Sequence, residues 1–332
     1  ARPARAAPAE AARRSPLVRC RVRGYVGAMA RPITLVEVGP RDGLQNDPGT
    51  LSVAQKLEFV ERLTACGVLR METGSFVSPN AVPKMADSAE VFAGLDRSAR
   101  TKHIALALNE KGVRRAIDAG ADEVNFVLVA GEGFGRRNQG MSPQESADAL
   151  AACAPLVHEA GLPLAATISV AFGDPYDGEV DPGVVASLAA QAQRAGVWEL
   201  ALGDTIGVAT PWDVRARLER VRMEAPDVSL RLHFHDTRGT ALANVFAAVE
   251  AEVDVIDASC GGIGGCPFAP AATGNVATED VVYMLERAGY ETGLDLDRLV
   301  ETATWLETVL GHPVPSRVKR AGAFPPSSGP AR

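Results

Sequence analysis

The chain lacks paired cysteines. Its five (Cys20, Cys66, Cys153, Cys260 and Cys266) are an odd number without disulfide-scaffold or zinc-finger spacing. That argues against a stapled secreted module and favours a reducing compartment. No apolar run approaches membrane-spanning length, so no membrane partner is expected. Basic charge is in deficit, with 34 Lys and Arg against 41 Asp and Glu for a net −7, which argues against a general nucleic-acid binder. Histidine is scarce, at five in 332 residues. No glycine-rich phosphate fingerprint follows the first β-type run, so a doubly wound open sheet lacks support.

What is present starts with an uneven charge. Residues 1–31 hold eight Arg and a single acid, Glu10, which leaves 26 basic and 40 acidic residues, a net −14, in the rest. This Ala/Arg/Pro-rich segment has no apolar periodicity and is expected to be disordered. An Arg-rich, acid-poor leader can be read as a mitochondrial transit peptide, placing the protein in the matrix. The competing expectation is that Met29-Ala30-Arg31-Pro32 marks the natural start of a cytoplasmic bacterial protein. Ala/Arg/Gly-heavy usage favours the second. Residues 313–332 are expected to form a largely disordered tail, and residues 32–312 one domain.

Within that domain, apolar β-type runs (Ile33–Gly39, Val68–Phe76, His103–Leu108, Glu123–Val129, Pro163–Phe172, Trp198–Asp204, Val228–Asp236, Val253–Ser259) alternate with helical patterns. The patterns are Val53–Cys66, Glu110–Ala119, Pro143–Ala160, Pro182–Ala195, Pro211–Glu224 and Thr240–Glu250. Several end in Gly stops, such as Cys66-Gly67 and Ala119-Gly120. Near-continuously apolar strands alternating with helices mean a parallel sheet covered on both faces. Eight units in about 250 residues predict an α/β protein of the (β/α)8 TIM-barrel class, with its active site at the C-terminal strand ends.

The polar residues at those ends are therefore the candidates. On the seventh run, His233 and His235 share a face because strand side chains alternate. Two adjacent imidazoles suit a divalent metal. Asp42, a hard oxygen donor at the first strand end, completes a carboxylate-plus-two-His set, and the amide oxygen of Asn275 can extend it. Mixed N/O ligands suit Mg2+ or Mn2+, with Zn2+ open as an alternative. Plainer roles compete: Asp42 as a turn residue before Gly43, Asn275 as a cap for a helix beginning near Val276. Arg41 and Glu72 sit at neighbouring strand ends, either as a strand-tying ion pair or with Glu72 presenting Arg41 to a developing oxyanion. Asp204 ends the sixth run. Cys266 rides a glycine-rich loop, Gly261–Phe268, after the eighth.

Five segments together resemble the 3-hydroxy-3-methylglutaryl-CoA lyase family, among the metal-dependent barrel lyases with an Asp-Arg-Glu signature. They are Glu37-Val38-Gly39-Pro40-Arg41-Asp42-Gly43-Leu44-Gln45-Asn46, Ser75-Phe76-Val77-Ser78-Pro79, Leu202-Gly203-Asp204-Thr205-Ile206-Gly207, His233-x-His235-Asp236-Thr237, and Gly264-Gly265-Cys266-Pro267 through Thr273-Gly274-Asn275 to Asp280. The resemblance runs from about Ile33 to about Gly311. It implies retro-Claisen cleavage of HMG-CoA to acetyl-CoA and acetoacetate, in leucine breakdown or ketone-body formation, by a homodimer or other homo-oligomer with an acyl-CoA as its small-molecule partner. Carried over, Asp42, His233, His235 and Asn275 match metal ligands, and Arg41 the enolate stabiliser. Cys266 matches the loop cysteine of acid/base work, with His233 the other candidate base. Glu72 and Asp204 match supporting catalytic acids; Arg41, Gln45, Asn138 and Ser169 are read as substrate-binding. Departures from the family pattern at Asp47-Pro48, Thr167–Val170, Ala201, Arg238 and Ala130–Phe134 cluster around the expected acyl pocket. They keep open a related lyase on another branched 3-hydroxyacyl-CoA. A Claisen-type synthase on the same barrel is a further alternative, and a non-enzymatic metal-binding barrel the last.

Overall fold

The computed structural model describes residues 31–264 and 274–324. Eight parallel strands close into a barrel in sequence order, β1 pairing with both β2 and β8. They are β1 Thr34–Glu37, β2 Arg70–Ser75, β3 Lys102–Ala107, β4 Glu123–Val129, β5 Leu164–Ser169, β6 Glu199–Asp204, β7 Ser229–Phe234 and β8 Val255–Ala258. All six anticipated helices form, for example Val53–Ala65, Pro143–Glu159 and Pro211–Glu224. Local chemistry sets their starts. Ser52, Ser142 and Thr210 each accept from the backbone N–H three residues on, and Gln55, Glu145 and Asp213 reach back to close capping boxes. No described helix is long and apolar enough to cross a membrane.

The layer between helices and strands is apolar and close-packed, with Phe59, Leu63, Phe92, Phe126, Leu128 and Leu150 fully or almost fully buried. The barrel interior is different. Its apolar part is a small separate cluster of Val36, Val38 and Ile104, with Val255 against it. Beside it runs a column of charged side chains. Arg70, Glu123 and Glu199 lie at its floor; Arg231, Glu72 and Asp257 come next, and Arg41 and Asp42 top it. The strands are thus less continuously apolar than anticipated, because their inward positions carry charge.

Three boundaries differ from the sequence reading. Arg31, assigned above to the disordered leader, donates to Asp254 Oδ1 at 2.6 Å and to the Val249 carbonyl at 2.9 Å. The helix Leu296–Leu310 was not anticipated; Asp295 caps it, and Leu299, Thr302, Ala303, Leu306 and Leu310 are its buried side. The tail is not irregular from residue 313. Val314 and Ser316 are buried, and Arg317–Ala321 is helical. Asp280 accepts from the backbone N–H of Arg317 and Val318, and the Arg317 guanidinium reaches Asp236 at 2.9 Å. A five-residue helix after Pro313 and Pro315 has little intrinsic signal, so tertiary contacts decide it. Residues 1–30 and 325–332 lie outside the described residues.

Candidate active site

The turn after β1 presents the first two site residues. Gly39–Gly43 is a wide helical turn with Pro40 near its start, and it buries Arg41 and Asp42. Gly43 is needed for contact: a Cβ there would lie 2.7 Å from the Ile263 side chain and 2.9 Å from Ser259 Oγ. Any larger residue would push the turn away from the segment after β8.

Asp42, His233 and His235 converge. Their donor atoms all lie within 4.8 Å of one another, and all three residues are buried. His235 Nε2 is 3.1 Å from His233 Nε2 and 3.6 Å from Asp42 Oδ2. His235 sits one residue past the end of β7, in a bridge with Asn275, rather than within the strand as expected. It still shares the face of His233. Behind His233, Nδ1 meets Asp257 Oδ2 at 3.2 Å, a pairing that turns Nε2 toward the cluster. Asn275 Nδ2 donates to Asp42 Oδ2 at 2.8 Å and to the Ile263 carbonyl at 3.1 Å, so its amide braces the carboxylate. Burial opposes the charge of Asp42, yet the Arg41 guanidinium and the two imidazoles hold its carboxyl well below the usual range.

These residues fit a divalent cation. Two imidazole nitrogens face each other beside a carboxylate oxygen, an arrangement of lone pairs that a shared cation satisfies. His235 Nδ1 is buried without a hydrogen-bond partner. Carboxylates also outnumber guanidiniums along the column, which favours a cation at its top.

Arg41 is held rather than free. Its Nε donates to Glu72 Oε2 at 2.7 Å, Nη2 pairs with the same oxygen, and Nη1 reaches Asp42 Oδ1 at 2.5 Å. Burial disfavours the cation, but Glu72 and Asp42 raise its pKa further above the ordinary arginine value. Glu72 is itself lowered despite burial by Arg41 and Arg231, and Asn125 donates to its other oxygen. The strand-tying ion pair is therefore formed, and it fixes the direction of the guanidinium.

The remaining candidates are more spread. Asp204 accepts from the backbone N–H of Val208 at 2.8 Å and of Ala209 at 3.1 Å, so its carboxylate shapes the turn after β6. Burial raises its pKa. Ser169 Oγ donates to the Leu128 carbonyl at 2.8 Å. The next residue, Val170, has φ 49°, a left-handed conformation that costs a β-branched side chain about 1–3 kcal/mol. Gln45 is half-buried beside the β1 turn, whereas Asn138 is exposed at the end of the helix Glu132–Asn138, which follows β4. Cys266, and with it residues 265–268 of the glycine-rich loop, lies outside the described residues. Cys66, Cys153 and Cys260 are buried free thiols, as expected of packing residues.

Three residues escaped the sequence reading: Asp257, Asn125 and Arg231. Their signal was present. Arg231 is two residues from His233 and so on its face, and Asp257 and Asn125 are polar positions within largely apolar strands.

Comparison with known proteins agrees with this geometry. Residues 32–306 match the family described as HMGL-like. A 3-hydroxy-3-isohexenylglutaryl-CoA/hydroxy-methylglutaryl-CoA lyase from Pseudomonas aeruginosa is 43% identical over 293 residues, covering 88% of this chain and 98% of that protein. An (R)-citramalyl-CoA lyase from Chloroflexus aurantiacus is 41% identical over 304 residues, covering 89% of this chain and 96% of the relative. Among solved structures, an HMG-CoA lyase from Acinetobacter baumannii in complex with coenzyme A and 3-methylmalate superposes with a TM-score of 0.86 at 36% identity, covering 92% of this chain and 100% of that one. With a family match over residues 32–306 and a relative 43% identical over 88% of its length, this chain belongs to the HMGL-like family of lyases.

Proposed function

We propose that this lyase cleaves 3-hydroxy-3-methylglutaryl-CoA to acetyl-CoA and acetoacetate. The observation that carries the reading is a guanidinium fixed beside a metal-type triad: Arg41 contacts Asp42, which converges with His233 and His235. Asp42, His233 and His235, with the amide oxygen of Asn275, would hold Mg2+ or Mn2+, which when bound supplies Lewis-acid polarisation of substrate oxygens. The reaction removes the proton of the tertiary hydroxyl and breaks the bond between C2 and C3. The electron pair passes to C2, giving the enolate of acetyl-CoA, which is then protonated. Arg41 stabilises that enolate oxygen, and Glu72 keeps the guanidinium from swinging away. His233 and Cys266 are the candidate bases. Asp204 acts on the site by shaping the turn after β6, and Gln45, Ser169 and Asn138 are the proposed substrate contacts.

A second reading is a lyase of the same mechanism for a different branched 3-hydroxyacyl-CoA. It is favoured by relatives named for isohexenylglutaryl-CoA and citramalyl-CoA, and by the small residues Ala201 and Gly203 on β6. One assay separates the readings. Purified protein with Mn2+ or Mg2+ is offered HMG-CoA, an isohexenyl-substituted analogue and citramalyl-CoA, and acetyl-CoA release is followed. The first reading expects the highest kcat/KM on HMG-CoA and loss of turnover in EDTA, restored by Mn2+. Full turnover in excess EDTA would end the metal assignment, and preference for a longer or shorter acyl group would replace the first reading by the second.

A further inference from the structure

Arg231 lies one inward step below His233 on β7 and is completely buried. Placing a guanidinium there costs several kcal/mol of desolvation, and a well-packed apolar residue is often as stable in such a position. Its contacts suggest what the charge is for. Nε faces Asp257 Oδ1 at 3.4 Å, and Nη2 faces Glu72 Oε1 at 3.8 Å. Nη1 faces Glu199 Oε1 at 3.4 Å, and Nη2 donates to Thr167 Oγ1 at 3.4 Å. Nε and Nη1 make no hydrogen bond, so charge rather than directed bonding holds the group.

The second oxygen of each upper carboxylate points into the site. Asp257 turns Oδ2 to His233 Nδ1, and Glu72 turns Oε2 to Arg41. Arg231 is therefore the shared anchor of two arms, one ending at a metal-type histidine and the other at the guanidinium assigned to the enolate. We propose that Arg231 is a positioning residue that sets both arms at once, orienting His233 through Asp257 and Arg41 through Glu72. The inference rests on the function proposed above, and its test keeps the two apart.

Arg70 supplies the control. It is the half-buried arginine at the floor of the column, paired at 2.8 Å with both Glu123 and Glu199, without contact to Asp257 or Glu72. The experiment measures Mn2+ affinity by isothermal titration calorimetry without substrate, then kcat and KM for HMG-CoA, in the wild type, Arg231→Met, Arg231→Lys and Arg70→Met. Arg231→Met is expected to weaken Mn2+ binding about tenfold, as loss of an outer-sphere partner does. It should also lower kcat at least about tenfold while KM stays near wild type, because the Arg41 contact strengthens in the transition state. Arg231→Lys retains the charge but not the fork that spans two carboxylates, and should fall between Met and wild type. Arg70→Met should lower the melting temperature and leave both readouts unchanged. Wild-type Mn2+ affinity and kcat in Arg231→Met would reduce Arg231 to core filling. Should that variant fail to fold, wild-type values of both in Arg231→Lys would overturn the proposal equally. Losses of the same size in Arg70→Met would make the effect general destabilisation. A wild type that binds Mn2+ but leaves HMG-CoA uncleaved overturns only the substrate reading, since the metal arm is measured without substrate.

Discussion

Between strands and helices the chain buries leucine, valine and phenylalanine; along the barrel axis it buries arginine, glutamate and aspartate. The same residue type behaves differently in the two places. In the axis, Glu72 lies between Arg41 and Arg231, and its carboxyl is pushed down despite burial. In the shell, Glu37 and Glu279 have no Lys or Arg partner among the described residues. Glu37 accepts from Gly39 N, Cys260 N and Thr278 Oγ1, and Glu279 from Gly261 N. Burial pushes Glu37 up to about 7 and Glu279 up to about 8. Hydrogen-bond donors alone do not offset desolvation there, whereas Arg41 and Arg231 do so at Glu72; at the axis floor burial still raises Glu123 beside Arg70. The axis is built to keep charge; the shell is built to exclude it.

If that division holds, damage to the shell should read out as stability and damage to the axis as chemistry. The largest effect belongs to the shell. Phe92, almost fully buried, packs edge-on against Phe76 at 5.5 Å between centroids. Phe92→Ala should cost about 3–5 kcal/mol in urea unfolding, with kcat and Mn2+ affinity of the folded protein unchanged. A large fall in kcat at temperatures where the variant is folded would break the division. Next comes Arg41→Met, expected to lower kcat on the order of 10²–10³-fold, about 2.7–4 kcal/mol of barrier, with KM little changed. Near-normal kcat in that variant would leave the contact with Glu72 as a strand tie and nothing more.

The same division governs what was legible in the sequence. The barrel was legible because the shell follows simple rules: apolar periodicity, Ser and Thr caps, Gly stops. Asp42, His233 and His235 were legible because strand alternation and position after a strand suffice to place them. Arg231, Asp257 and Asn125 were not, although the same alternation applies to them. A lone polar or charged residue in an apolar run looks like an edge or an exposed position until the closed barrel brings the strands to one axis. Arg317 meeting Asp236 and Asp280 was illegible for another reason: the contact joins chain segments far apart in sequence, and no local pattern marks it.

The smallest expected effect tests the shell's exclusion of charge. Glu279 is in the first turn of the helix Thr278–Arg287, and its carboxyl accepts from Gly261 N at 2.9 and 3.0 Å. In the unfolded chain a glutamate loses its proton near pH 4.5, whereas in the fold burial holds Glu279 up to about 8 and Glu37 up to about 7. Between those values the folded state binds more protons than the unfolded state, so stability falls as pH rises. The contribution is complete below pH 4.5, is lost progressively as pH rises, and is gone above about 7 for Glu37 and about 8 for Glu279. Glu72, pushed down, takes no part in this window. The wild-type melting temperature should therefore decline from about pH 4.5 to about 8 and level off above it. Glu279→Gln keeps an oxygen for Gly261 N but has no proton to lose, so its decline should be shallower. Each kcal/mol recovered is worth about 2–4 °C in a domain of this size. Scanning calorimetry of both proteins across that range decides the matter. Equal slopes would mean that Glu279 ionises in the fold without penalty and that the shell tolerates charge as the axis does.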